Sequence, residues 1–185
     1  MNPFRWLIVL FILLPSLCIS QNRLAFLSPS ELQLYNLINN YRVAHYLPVI
    51  PISQKLSLVA KTHCMDLYNN YVWDASSTCN MHSWSDKGSW TSVCYTEDHA
   101  QASKMWMKPK EIAGYNAYGY EIAHGHSPKD NECSPDCALN GWKHSPGHNR
   151  VIMNQGIWES HSWNAIGVGM YKGYACVWFG EISDL

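Results

Sequence analysis

Ala165-Ile166-Gly167-Val168-Gly169-Met170-Tyr171-Lys172-Gly173-Tyr174-Ala175-Cys176-Val177-Trp178-Phe179 is the stretch that decides the fold. Lys172-Gly173 is a two-residue connection of the kind that joins antiparallel strands. Pairing across it sets Gly169 opposite Cys176 and Gly167 opposite Trp178 on one face. Ile166, Val168 and Met170 share the other face with Ala175, Val177 and Phe179. Successive strand residues point to opposite sides, and both sides here are apolar, so neither face meets water. Such a sheet needs helices above and below it. The expectation is an α+β fold: a three-layer α-β-α sandwich with a small central, mainly antiparallel sheet and long loops. The two glycines are expected to make room for facing rings.

The chain before this hairpin reads as helices. Ser28-Pro29-Ser30-Glu31 is a helix start with a capping box. Leu34, Leu37, Ile38 and Tyr41 follow on one stripe. Pro48 and Pro51 end that helix and set an extended link. Ser53 opens a second helix with Leu56, Val59, Ala60 and Leu67 on its apolar side. A loop follows from about Asn69 to Tyr95. A third helix is expected from Thr96 through Met107, stopped by Pro109. Ser134-Pro135-Asp136 opens a fourth, which buries Leu139 and Trp142 and stops before Pro146.

The chain has 185 residues, 47% of them apolar and 15% charged, which suits a folded core. A formal net charge of −1 argues against nucleic acid, which needs a basic face. Residues 1–20 carry Arg5, an apolar run from Trp6 to Leu14, then Pro15, with Cys18 and Ser20 before a candidate cut at Gln21. That is a secretory signal pattern. The run is short for a bilayer span, with an uncleaved anchor as the alternative. Residues 21–185 are then a single domain, secreted to the extracellular side and without stable membrane insertion once the signal is removed.

Export sets the reading of the cysteines. Cys64, Cys79, Cys94, Cys133, Cys137 and Cys176 remain after the signal, an even number suited to three disulfides. The preferred pairs are Cys79–Cys94, Cys133–Cys137 and, by what is left, Cys64–Cys176. A Cys/His zinc site is the rival, lacking a second ligand pair at finger-like spacing.

Nine histidines are candidate metal ligands and proton carriers. His45, His99 and His161 sit in polar surroundings and read as solvated. His63 lies near the buried stripe of the second helix and reads as a core histidine with its hydrogen bonds met. His124-Gly125-His126 is a chelating pair only in a flexible loop. His144 and His148 are separated by Pro146-Gly147, which breaks a shared helical face. His82 and His148 stand out: one lies between Cys79 and Trp84, the other at a sharp break after Ser145-Pro146-Gly147. Glu121 is a lone acid in an apolar stretch and needs a partner. These three form the candidate cluster.

The run Trp142-Lys143-His144-Ser145-Pro146-Gly147-His148-Asn149-Arg150-Val151-Ile152-Met153 resembles the signature of the CAP superfamily. That superfamily comprises the cysteine-rich secretory, antigen 5 and pathogenesis-related proteins, sharing the SCP domain. The likeness is nearest to the bacterial-type Trp-x-x-Ser-Pro-Gly-His form. Leu47 to Leu67, His82-Ser83, Gly119 to Gly125, Ala165 to Gly169 and Val177 to Gly180 resemble other family pieces in the same order. The resemblance covers residues 28 to 180 and implies an α-β-α sandwich with a cleft. It implies that His82 and His148 hold zinc or another divalent metal, with Glu121 as third ligand or as orienter of a histidine. Ser145, Tyr120 and Ser83 are expected along that cleft. Ser145 stands where many members have a second glutamate. Register leaves open whether Glu121 or Tyr120 takes the first glutamate position.

The function expected is binding of a lipid, a glycan or a protein in this cleft. The resemblance implies sterol or fatty-acid carriage in some relatives and defence, venom or reproductive signalling in others. The alternatives are a metal-dependent hydrolase with Glu121 as base and a structural surface or coat protein. The aromatic loop from Trp73 to Trp90 favours the last. A Ser-His-Glu hydrolase through Ser145 or Ser83 lacks a nucleophile elbow.

Overall fold

The computed structural model describes residues 24–71, 76–125 and 133–184. The expected signal segment and Trp73 of the aromatic loop lie outside the described residues.

The first helix, α1, spans Pro29–Val43, and Ser28 and Glu31 close the expected capping box at its start. The second, α2, spans Gln54–Asn70, with the Ser53 hydroxyl accepting from the Leu56 N–H. The region from Thr96 differs from expectation. It holds two short helices, α3 (Ala102–Trp106) and α4 (Lys108–Ala113). Pro109 does not stop a helix; it sits in the first turn of α4, where its missing N–H costs nothing. Strand β1 is Gly119–His124. Ser134 caps α5 (Pro135–His144), and Ser145 is both the C-cap of α5 and the N-cap of α6 (Pro146–Met153). Strands β2 (Ala165–Tyr171) and β3 (Tyr174–Gly180) close the fold.

The sheet is antiparallel in the order β1-β3-β2. The hairpin register is the expected one, Gly167 opposite Trp178 and Gly169 opposite Cys176. Lys172 and Gly173 both have positive φ, 44° and 88°, the twist that a tight hairpin turn requires. Residues 51–53 bond to Ile166 and cover the outer edge of β2. Ile166, Val168, Val177 and Phe179 pack into one core with Leu34, Ile38, Leu139, Trp142 and Ile152 from α1, α5 and α6. Cys176, Trp178 and Tyr174 pack into the other with Leu56, Val59, Ala60 and Leu67 of α2. The three layers are therefore α1/α5/α6, sheet, and α2.

Gly167 and Gly169 have a different reason from the one expected. They admit the backbone of α2, not aromatic rings. A Cβ on Gly167 would stand 2.1 Å from the Leu56 carbonyl carbon, and one on Gly169 would stand 2.3 Å from the Lys61 nitrogen. Main chain cannot swing aside, so Gly167→Ala is expected to force α2 off the sheet and cost about 1–3 kcal/mol or more. Gly147→Ala, where nothing lies within 4 Å, is expected to leave stability nearly unchanged. Urea unfolding midpoints of the two variants check this.

Two of the expected disulfides are present, Cys79–Cys94 and Cys133–Cys137. Cys64 and Cys176, the third expected pair, are both buried free thiols, with Cys64 Sγ 3.3 Å from the Gly169 carbonyl oxygen. The two thiols hydrogen-bond each other across the α2–sheet contact.

Candidate metal centre

Alternation along β1 decides which residue meets the histidines. Glu121 pairs with Trp178 and so points to the α2 face, whereas Tyr120 pairs with Phe179 and points to the other. From the buried side of α2, His63 meets Glu121. The loop carrying His82 is tied down at several points. Cys79–Cys94 closes it, Trp84 bridges Val93, and Asp66 of α2 accepts from the Ser85 N–H at 2.8 Å and the Ser85 hydroxyl at 2.5 Å. The Trp84 ring lies flat on His63, with centroids 4.2 Å apart.

Glu121 is clamped between two imidazoles. Its Oε1 is 2.5 Å from His63 Nδ1 and its Oε2 is 2.9 Å from His82 Nδ1. His63 Nε2 is 3.0 Å from the Ser83 carbonyl oxygen. A carbonyl oxygen and an ionised carboxylate can only accept. Both His63 nitrogens must then donate, so His63 is an imidazolium paired with the Glu121 carboxylate. Burial alone would push His63 down, but the Glu121 charge outweighs it and raises the group above its ordinary 6.5. Burial alone would push Glu121 up, yet the His63 and His82 N–H groups hold it at about 2. The His63 and Glu121 side chains are 0% exposed and that of His82 is 21% exposed.

His82 donates from Nδ1, which leaves Nε2 as the lone-pair nitrogen. His148, in the first turn of α6, lines the same hollow, and the two ring centres are 6.2 Å apart. Burial, then the neighbouring His82 and His124, push His148 down to about 4. The positive end of α6 acts in the same direction. Near neutral pH the His148 ring is therefore neutral and offers a lone pair. The hollow is about 360 Å³ and includes Tyr95, Glu97, Trp106, Tyr120 and Trp158 in its lining.

Several solved structures share this architecture. One is an extracellular protein containing an SCP domain from Bacillus anthracis, 21% identical, with a TM-score of 0.56, over 84% of this chain and 44% of that one. The chain has the SCP-domain fold. An outer surface protein from Borrelia burgdorferi matches at 18% identity and TM-score 0.52, over 81% of this chain and 90% of that one. A cysteine-rich secretory protein from Staphylococcus aureus matches at 12% identity and TM-score 0.50, over 83% of this chain and 38% of that one. The chain thus spans less than half of the Bacillus and Staphylococcus proteins, and at these identities the likeness is one of fold. No protein-family model and no curated protein matches the sequence. Among the described residues, no helix is long and apolar enough to cross a membrane.

Within this SCP fold the expected site residues fall into distinct places. His82, Glu121, His148 and Tyr120 line one hollow. Glu121 stands as the orienter of His82, since both its oxygens already accept from imidazoles. Ser83 lines a neighbouring hollow; its carbonyl holds His63 and its hydroxyl accepts from the Tyr95 N–H at 2.9 Å. Ser145 joins α5 to α6 and is not in the lining of the His82–His148 hollow. His63 was read as a core histidine, and it is one, but its partner is the site acid. The signal available was a polar ring on the buried stripe of α2 together with a lone acid in the central sheet. His99 stands on the rim of the hollow, its Nδ1 2.9 Å from the Tyr95 hydroxyl.

The clamp makes stability depend on pH. Glu121, held at about 2 against an ordinary 4.5, contributes stability that is present above 4.5 and lost as pH falls toward 2. His63, raised above 6.5, contributes stability that is full below 6.5 and lost as pH rises through its folded value. For His148, held at about 4, the unfolded chain takes up a proton between 6.5 and 4 that the fold refuses, so stability also falls across that window. Unfolding free energy is expected to peak at about pH 6.5 and decline on both sides. Urea titrations from acid to alkaline pH measure it. The alkaline decline should vanish in Glu121→Gln, and a flat profile in the parent contradicts the clamp.

Proposed function

We propose that residues 21–185 form an exported CAP-superfamily domain that acts by binding, with a divalent metal ion held between His82 and His148. The observation that supports this most is the polarity of the clamp. The His63 imidazolium fixes Glu121, Glu121 fixes the His82 tautomer, and the remaining His82 nitrogen shares a hollow with a second neutral imidazole. A carboxylate that orients a ligating histidine is a recurrent metal-site device. Two imidazoles suit zinc and leave positions for water or a ligand atom. The aromatic lining beside them, Trp106, Tyr120 and Trp158, suits a lipid, a glycan or an apolar protein side chain. Hydrolysis fits less well, because the acid beside the histidines is buried and both its oxygens are taken.

The test is calorimetric titration of the disulfide-intact protein with zinc. One zinc per chain is expected, and binding should be lost in both His82→Ala and His148→Ala. Unchanged affinity in either variant removes the site. A surface-protein role has one observation behind it, the likeness to the Borrelia outer surface protein. It is compatible with the same metal centre.

A further inference from the structure

A second group of soft donors lies outside the lining of the His82–His148 hollow, with His124 near enough to His148 to act on its charge. His124 ends edge strand β1, and Cys133 and Cys137 flank the start of α5. His124 Nε2 is 3.7 Å from Cys137 Sγ, and the three donor atoms all lie within 4.8 Å of one another. The imidazole is seated on α5. A Cβ on Gly141 would stand 2.6 Å from His124 Cε1 and 2.8 Å from Nδ1, so any larger residue at that point of the helix would push the ring from its place. Glycine inside a helix is otherwise disfavoured. Trp142 meets the same ring edge-on at 6.3 Å. The seat puts the Nδ1 side of the ring against α5 and Nε2 toward the sulfurs.

We infer that His124 Nε2, Cys133 Sγ and Cys137 Sγ form a second, thiolate-rich metal site that the Cys133–Cys137 disulfide closes. Two sulfurs and one imidazole are the donor set of zinc and similar borderline-soft ions, with a fourth position open to water. The two states exclude each other. Bonded sulfurs sit about 2.0 Å apart, whereas two thiolates on one tetrahedral zinc sit about 3.7 Å apart. The Cα atoms, 5.6 Å apart, need not move far between them. Opening is tolerated by the fold, because this cross-link spans a sequence separation of 4, against 15 for Cys79–Cys94, and restrains less of the unfolded chain. The Ser134 cap and Pro135 start α5 without it.

The chemistry balances with an external dithiol as reductant. Its two thiols become a disulfide while the Cys133–Cys137 S–S bond breaks, and two electrons and two protons leave Cys133 and Cys137 as thiols. Binding of a divalent ion then displaces those two protons to solvent. In an oxidising compartment the site is shut; a reducing one opens it.

The test uses the whole protein, reduced with a dithiol, freed of excess reductant and given cadmium. Cadmium should slow alkylation of Cys133 and Cys137 at least tenfold, read peptide by peptide in a mass spectrometer. The disulfide-bonded protein should take up no cadmium there. His124→Ala should weaken the protection at least tenfold, and His82→Ala should leave it unchanged. Equal alkylation with and without cadmium in the reduced parent overturns the site and needs no variant to fold. Protection that survives His124→Ala while circular dichroism shows a native fold overturns the role of the imidazole. Either failure leaves the His82–His148 titration of the disulfide-intact protein standing.

Discussion

Glu121→Ala is expected to lower the unfolding free energy by about 3–5 kcal/mol, the usual cost of removing one partner of a buried pair. The reason lies in what stays behind. His63 has a fully buried side chain, stacks on Trp84, and already spends Nε2 on the Ser83 carbonyl. Without Glu121 its Nδ1 proton has no carboxylate acceptor, and the ring must either stay charged in an apolar setting or lose the proton. Cys176 Sγ, 3.8 Å away, is a weak substitute. Glu121→Gln keeps the shape and one acceptor, so its loss should be smaller, about 1–3 kcal/mol. His63→Ala and Glu121→Ala should not add: the double variant should be less destabilised than the sum by about 1–3 kcal/mol, as expected for residues in one network. Additive losses mean that the two side chains do not act as a pair.

The second large effect concerns metal affinity. His82→Ala and His148→Ala each remove half of the nitrogen donors. Each should weaken zinc binding by more than the roughly 10–100-fold that losing a ligand's hydrogen-bond partner costs. Glu121→Gln and His63→Gln should fall within that smaller range, because they leave both donor nitrogens and disturb only the orientation of His82. The order matters more than the sizes. If Glu121→Gln weakens zinc as much as His82→Ala does, Glu121 is a ligand and the assignment of roles is reversed.

Much of the architecture was legible in residues 165–179. A hairpin apolar on both faces can exist only between two layers, and its two-residue turn fixes which residues oppose each other. What the glycines were for was not legible. A missing side chain shows that something comes close, but not whether it is a ring or a main chain, and here it is α2. The helix after Thr96 was misplaced because Pro109 reads equally as a stop or as a first-turn residue, and local sequence does not separate the two.

The site was legible in part for a similar reason. His82 and His148 stood at chain breaks, where polar rings reach a hollow. Glu121 was recognised as an acid in need of a partner, but the partner lies 58 positions away on α2. Helical periodicity marks His63 as buried and says nothing of what it faces. Only the crossing of α2 over the sheet, allowed by Gly167 and Gly169, brings the two together. Likewise Ser83 and Ser145 were placed on the cleft by neighbourhood in sequence; the Ser83 hydroxyl accepts from the N–H of Tyr95, a lining residue, while Ser145 sits at the α5–α6 junction outside the lining.

Nitrogen-15 spectra of the histidine side chains, recorded near neutral pH before and after one equivalent of zinc, test the centre most directly. Both His63 nitrogens should be protonated throughout, the His82 Nδ1 proton should be held by Glu121, and zinc should shift His82 Nε2 and His148. A His82 ring protonated at Nε2 instead, or zinc shifts confined to other histidines, would contradict this assignment.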